Sequence, residues 1–303
     1  MINIISRAIL MSTPLLIGAT AEVFSERAGV MIIAIEGIFL AGAWGGFVGV
    51  FLTHSYIIGF LTAGILGILV AMLYGYITIY LKQNQIVVGT AINILIVGLT
   101  AFFQRVIFGV PLLPLTIEPL KSLPIPLLSK IPVIGSILFN QNILTYIAYL
   151  GAPIGFFILF KTSIGLIIRS TGENPVAVDV AGLKVERIRF LVVAMAGFMG
   201  AIAGSFYSVV YLGLFTDTII GGRGWIAFAI CFLGNWNPLG ALIGALIFGI
   251  TEALAIYMQS LGGIAVPNEL FIALPYILTI VLTIGRRNFN VPAMLGIPYQ
   301  KED

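Results

Sequence analysis

Seven long stretches of this chain carry no Asp, Glu, Lys or Arg: residues 37–81, 83–104, 131–160, 190–216, 224–251, 253–268 and 270–285. An α-helix rises about 1.5 Å per residue, so about 20 apolar residues cross a hydrocarbon core of about 30 Å. The run at 37–81 is long enough for two crossings. In lipid every backbone amide must find its partner within the protein, which leaves helices or a closed barrel. The runs lack the strict alternation of barrel strands. The expected fold is therefore all-α, a polytopic transmembrane bundle of about eight to ten helical segments. Their expected cores are 8–21, 28–52, 57–81, 86–104, 142–160, 190–212, 224–234, 238–258 and 268–285.

Composition agrees. Of 303 residues 60% are hydrophobic and 9% charged, against about 25% charged in a soluble domain. The whole of 1–303 reads as one membrane domain, with connections too short to fold independently. A net charge of +3 does not argue for nucleic acid, because the basic residues sit in connections, as membrane insertion requires. Cys231 is the single cysteine, which excludes an internal disulfide, and its apolar surroundings suit a small buried hydrophobe. His54 is the single histidine. Neither supplies a metal set, and no cofactor is implied. The apolar stretch after Arg7 lacks a small-residue cleavage signal and reads as a retained first span.

The basic residues set the expected orientation. Segment 161–189 carries Lys161, Arg169, Lys184, Arg187 and Arg189, and the tail carries Arg286, Arg287 and Lys301; together these are 8 of the 15 basic residues. Both segments are expected on the cytoplasmic side. Segment 105–141 is then external, and Pro111, Pro114, Pro119, Pro124, Pro126 and Pro132 suit an irregular connection there.

Two spans read as broken, one through Gly42-Ala-Trp-Gly-Gly46 and one through Gly234-Asn-Trp-Asn-Pro-Leu-Gly240. Paired interruptions in two halves of a transporter point to its pathway. Gly29–Ile35 and Gly224–Ile230 echo one another faintly, as an internal duplication would.

No catalytic constellation is present, and no Gly-rich phosphate loop ends in Lys-Ser/Thr, so the chain is expected not to hydrolyse ATP. Intramembrane polar residues carry the information instead. Glu36 and Glu252 are carboxylates within apolar stretches; such groups face a cavity or a partner, because burial in lipid costs roughly 2.5–3.5 kcal/mol or more. They line a pathway or serve as internally bonded scaffold. Asn93 and Gln104 lie eleven residues apart, about three turns, on one helix face; they bond solute or join helices. Tyr207, Trp225 and Trp236 stack on a solute or anchor helices. Gly59, Gly64, Gly67 and Gly75, with Gly240, Gly244 and Gly249, offer small faces for close packing.

The most informative soluble stretch is 170–189. Asn174 can cap a helix with Pro175 at its first position, and Gly182 can end it. The result is a compact helix over about 175–181 with Ala177 and Ala181 on its surface. Such a helix suits a groove in another protein, or is an ordinary connection.

The stretch Glu173-Asn-Pro-Val-Ala-Val-Asp-Val-Ala-Gly-Leu183 resembles the coupling-helix loop of permease subunits in bacterial ABC importers. The branch is the one for simple sugars, nucleosides and branched-chain amino acids. Ser25-Glu-Arg-Ala-Gly-Val-Met-Ile-Ile-Ala-Ile-Glu-Gly37 resembles its N-terminal signature, and Gly89–Thr100 its Asn-containing block. Gly221-Gly-Arg-Gly-Trp225 through Asn237-Pro-Leu-Gly240 resembles its second-half motif. The likeness covers roughly residues 20–285 and is nearest to nucleoside-importer permeases, in particular the shorter of their two permease subunits. The chain departs from the pattern at Ile32, where the family usually has Asn; that bears on the solute and leaves the class standing.

The resemblance implies a mechanism and partners. An extracytoplasmic solute-binding lipoprotein delivers solute to two homologous permease subunits in a bacterial plasma membrane. A separate cytoplasmic ABC ATPase grips the helix at Glu173, Asn174, Pro175, Ala177, Val178, Ala181 and Gly182. Its closure on ATP switches the side to which the pathway opens. The expected pathway residues are Glu36, Asn93, Gln104, Tyr207, Trp236 and Glu252. The expected solute is a nucleoside, with a simple sugar or branched-chain amino acid next. An ion-coupled secondary transporter using Glu36 or Glu252 is the alternative class.

Overall fold

The computed structural model describes residues 2–132, 134–260 and 289–300, together with 273, 274, 277, 280, 281 and 284. In chain order its helices are α1 (Ile2–Arg27), α2 (Ile35–Thr53), α3 (Tyr56–Gly75), α4 (Gln85–Phe108), α5 (Ile134–Leu138), α6 (Ile143–Lys161), α7 (Ser163–Glu173), α8 (Pro175–Val180), α9 (Val185–Ser205), α10 (Arg223–Leu233) and α11 (Pro238–Ser260). Wider π-helical turns extend α3 through Tyr76–Tyr80 and α9 through Phe206–Leu212. The only sheet among the described residues is a short antiparallel ribbon of β1 (Leu123–Pro124) and β2 (Asn140–Gln141). Among the described residues, seven helices (α1, α2, α3, α4, α6, α9 and α11) are long and apolar enough to cross a membrane.

Asparagine and threonine set several helix starts, as their side chains accept from the first free amides. Asn84 caps α4, Asn142 caps α6, Thr162 caps α7 and Asn174 caps α8. Small residues set the packing. At Gly42 a methyl group would collide with the Ala201 backbone, and at Gly204 with the Phe39 backbone, so α2 and α9 touch main chain to main chain. Gly67 of α3 and Gly197 of α9 face one another in the same way. By contrast α4 and α6 turn outward with exposed Ile94, Phe102, Ile147 and Phe157, side chains suited to hydrocarbon or another chain.

One end of the bundle gathers residues 28–34, α7, α8 and the segment 289–300. Met294 donates to Gly172 O at 2.9 Å and Gly296 to Gly29 O at 3.1 Å. Arg189, 2% exposed, donates to Ala28 O and Ile297 O at 3.1 and 2.9 Å. The opposite end carries residues 109–142, tied to the end of α9 by Ile117 N donating to Gly213 O at 2.7 Å.

Three expectations need correction. The second span begins at Ile35, not at 28, because residues 28–34 form an irregular turn between α1 and α2. Gly42–Gly46 does not break α2, since those glycines serve contact with α9, α3 and the adjoining π-turn. The echoed stretches differ in conformation: Gly29–Ala34 is non-helical, whereas Gly224–Ile230 lies within α10. The break at Gly234–Asn237 is observed. The expected core at 268–285 falls largely outside the described residues, and Arg286, Arg287 and Lys301 lie outside them entirely.

Candidate functional site

The turn at 28–34 exposes backbone groups inside an apolar bundle, and each must be matched. Ser25 Oγ donates to Val30 O at 2.7 Å, and Met31 N donates to Gln85 Oε1 at 3.0 Å. The Tyr74 hydroxyl donates to Met31 O. Ile32 N donates to Glu22 Oε2 at 3.3 Å, and Asn93 Nδ2 to Ile33 O at 2.9 Å. Arg189 takes Ala28 O. The turn is thus held open by side chains from α1, α3, α4 and α9.

The second interruption is built alike. Arg27 donates through Nε to Trp236 O at 2.9 Å and through Nη2 to Asn235 O at 3.4 Å. The Trp236 indole N–H donates to Glu26 Oε2, and Asn290 N donates to Asn235 Oδ1 at 2.8 Å. The two interruptions therefore meet at the C-terminal end of α1.

The helix α10 has 11 residues, about 16 Å, or half a bilayer core. Its N-terminus ends within the bundle, where Gly221 and Gly222 adopt left-handed φ of 56° and 85°. Free amides at a helix N-terminus attract negative charge. Glu36 supplies it, accepting from Gly222 N at 2.7 Å and Gly224 N at 2.8 Å. Gly224 is required by proximity, because a Cβ there would lie 2.7 Å from Glu36 Cα. Beside it Arg223 pairs with Glu252 Oε1 at 2.7 Å and lies 5.1 Å over the Tyr207 ring.

A cavity of about 180 Å³ opens against this half-helix, lined by Glu36, Gly37, Leu40, Asn93, Ile94, Val97, Asp217, Ile220 and Gly221. Of the expected pathway residues, Glu36 and Asn93 line it. Asn93 also accepts from Gly37 N at 2.7 Å, so it joins α4 to α2. Gln104, on the same face, accepts the Trp44 indole N–H at 3.0 Å and joins the same two helices. Tyr207, Trp236 and Glu252 are not among the lining residues; Trp236 is 1% exposed and bonded to Glu26. The sequence reading missed Asp217, Glu22 and Glu26. The signals were present: Asp217 is the lone acid between two charge-free runs, and Glu22 and Glu26 stand one turn apart where the first expected core stopped.

The short helix forms as its residues dictate. Asn174 Oδ1 accepts from Ala177 N at 3.1 Å, Pro175 opens α8, and Gly182 follows its end with φ 83°. Glu173 lies 3.8 Å from Arg27 and accepts from Ala293 N at 3.3 Å. Val178 is turned inward, 5% exposed, packed with Val185 and Tyr299. The outward face of α8 and its flank is instead Val176, Ala177, Val180 and Ala181.

Comparison with known proteins gives one family match and three relatives. The family model described as branched-chain amino acid transport system, permease component, matches residues 4–283. The chain is 37% identical to the guanosine ABC transporter permease protein NupQ of Bacillus subtilis, over 98% of this chain and 96% of that one. It is 33% identical to the nucleoside ABC transporter permease protein NupC of Lactococcus lactis, again over 98% and 96%. TsgC13 of Haloferax volcanii, named provisionally as a glucose ABC transporter permease, is 34% identical over 85% of this chain and 78% of its own length.

Proposed function

The chain belongs to the branched-chain amino acid transport system permease component family and is a membrane permease subunit of an ABC importer; on that premise we propose that its solute is a nucleoside. The observation that carries this reading is the near full-length likeness to two permeases named for nucleosides and guanosine. The likeness to a protein named for glucose keeps a simple sugar as the second reading.

In this reading residues 1–303 act as one domain whose helices surround the path. The end bearing α8 faces the cytoplasm, where a separate ABC ATPase receives the exposed Val176, Ala177, Val180 and Ala181 in a groove. Small side chains let the two backbones approach closely. The connection from α8 inward is short and rigid: α9 begins at Val185, and Arg189 on it holds both Ala28 O and Ile297 O. ATP-driven closure is thereby carried to the 28–34 turn and to the α10–α11 turn, which meet at α1. That gives a two-state element which both motor and solute bias, the requirement for physical coupling. A second homologous permease subunit completes the path, a solute-binding lipoprotein docks at the 109–142 end, and the assembly resides in a bacterial plasma membrane.

The test is uptake by the full complex in proteoliposomes. Guanosine import that requires ATP, and that persists without an ion gradient, is expected; import of glucose but not guanosine would replace the solute, and gradient-driven import without ATPase would replace the class. Sidedness is checked with Val180→Cys, at a position that is 83% exposed. An impermeant thiol reagent should spare it in intact cells, and ATPase should protect it in inverted vesicles. Ala181→Arg should abolish ATPase copurification.

A further inference from the structure

Among the described residues, the cavity beside α10 holds one charged side chain that the scaffold does not use. Asn93 commits its oxygen to Gly37 N and its nitrogen to Ile33 O, at 2.7 and 2.9 Å. Glu36 commits both oxygens to the amides of α10, at 2.7 and 2.8 Å. Asp217 lines the same cavity and is an exposed residue. No hydrogen bond or ion pair among the described residues reaches its carboxylate. The cation nearest in sequence, Arg223, is engaged by Glu252 at 2.7 Å.

Its surroundings make this unusual. The α4 residues that share the cavity, Asn93, Ile94 and Val97, fall near the middle of the Gln85–Phe108 span. A carboxylate beside that mid-span wall, with neither cation nor amide among the described residues to hold it, is tolerated where it meets water in a pathway. Its position is fixed by the chain around it. Gly213 ties the start of the loop to Ile117, and Gly222 with Glu36 ties its end.

We propose that Asp217 is the solute-recognising residue of the path, accepting a pair of donors from a neutral solute on its two oxygens. This rests on the nucleoside reading and deepens it. A carboxylate is an acceptor-only group that matches two parallel donors. A nucleoside offers two such pairs: the vicinal hydroxyls of ribose, and the ring N–H with the exocyclic NH₂ of guanine. An anionic solute is repelled, and the carboxylate of an amino acid finds no free cation among the other lining residues. The site therefore favours a donor-rich neutral solute over a branched-chain amino acid.

The experiment measures ATP-driven uptake by the full complex in proteoliposomes. Wild type, Asp217→Asn and Asp217→Glu are each given guanosine, inosine (no exocyclic amine) and 2′,3′-dideoxyguanosine (no vicinal hydroxyls). Asp217→Asn is expected to raise KM for guanosine about tenfold or more, the scale of one hydrogen bond to a charged group. Asp217→Glu, which keeps the acceptor pair, is expected to recover part of it. If the base edge is read, Asp217→Asn erases the preference for guanosine over inosine; if ribose is read, the same change erases the preference over the dideoxy analogue. Asp217→Cys supplies a second measurement, since guanosine should slow its modification by a water-soluble thiol reagent. Unchanged KM for all three solutes, or a thiol that guanosine does not protect, overturns the assignment while leaving the importer intact. Wild-type complex that imports none of the three overturns the nucleoside reading and this assignment together.

Discussion

Gly42–Gly46 and Gly234–Gly240 look equally fragile as sequence, yet only the second is broken. In the first, α2 runs on without interruption: Gly42 lets the Ala201 backbone of α9 come close, as Gly204 of α9 does for the Phe39 backbone of α2. In the second, Asn235 and Trp236 take left-handed φ of 59° and 52°, and Arg27, Glu26 and Asn290 bind that turn. Pro238 then starts α11, with Asn237 Oδ1 accepting from Leu239 N at 2.9 Å. Glycine alone does not interrupt a membrane helix, because in lipid the released amides have nowhere else to go. A break forms where distant side chains replace the lost bonds, as Gln85, Tyr74, Glu22, Asn93 and Arg189 do at 28–34.

The contrast predicts opposite chemistry at the two sites. Gly42→Leu should be the most damaging change, since four added carbons meet the main chain of Ala201 and not a movable side chain. Overpacking of this kind costs about 3 kcal/mol or more. The expected outcome is loss of folded protein after detergent extraction, read by size-exclusion chromatography; a monodisperse peak with an unchanged melting temperature would end the packing account. Arg27→Ala comes next. It removes the donors to Trp236 O and Asn235 O without touching any helix-packing glycine. Hydrogen bonds from a charged group are worth about 1.5–3 kcal/mol, so the melting temperature should fall. Protection of Asn235–Asn237 from proteolysis or hydrogen exchange should be lost first, while α2 remains protected. Equal loosening of both regions would contradict the distinction.

The same distinction explains what could be read in advance. Charge-free runs located α2, α3, α4, α6, α9, α10 and α11, and the apolar stretch after Arg7 located α1, because the solvent imposes helicity on any long apolar segment. Local chemistry located α8, since Asn174, Pro175 and Gly182 act within one short stretch. The turn at 28–34 was not legible. Its own residues, Ala-Gly-Val-Met-Ile-Ile-Ala, continue an apolar pattern, and its partners Tyr74, Gln85, Asn93 and Arg189 are scattered along the chain. Val178 was misread for a related reason. A six-residue helix gives too little periodicity to name its inner face, which Tyr299 sets from the far end of the sequence. Glu36 was found as an intramembrane carboxylate. Its role as the acceptor at the start of α10 required Gly222 and Gly224 to be brought to it.

The smallest predicted effect is at Gly98, in α4, where an added Cβ meets nothing within 4 Å. Here glycine serves neither a close approach nor a break, and its φ lies outside the left-handed region that disfavours other residues. Replacing glycine by alanine within a helix then restricts the unfolded chain and raises helix propensity, gains that sum to about 0.5–1 kcal/mol. Gly98→Ala should leave the melting temperature unchanged or slightly raised. Gly46→Ala, whose Cβ would lie 2.8 Å from Ser205 Cβ, should lower it. Each variant adds the same single methyl group, so a loss at Gly46 without one at Gly98 isolates packing as the cause. A clear loss of stability at Gly98 in the isolated subunit would mean that this glycine carries a constraint beyond contact, and that the rule drawn from Gly42 fails on its own helix bundle.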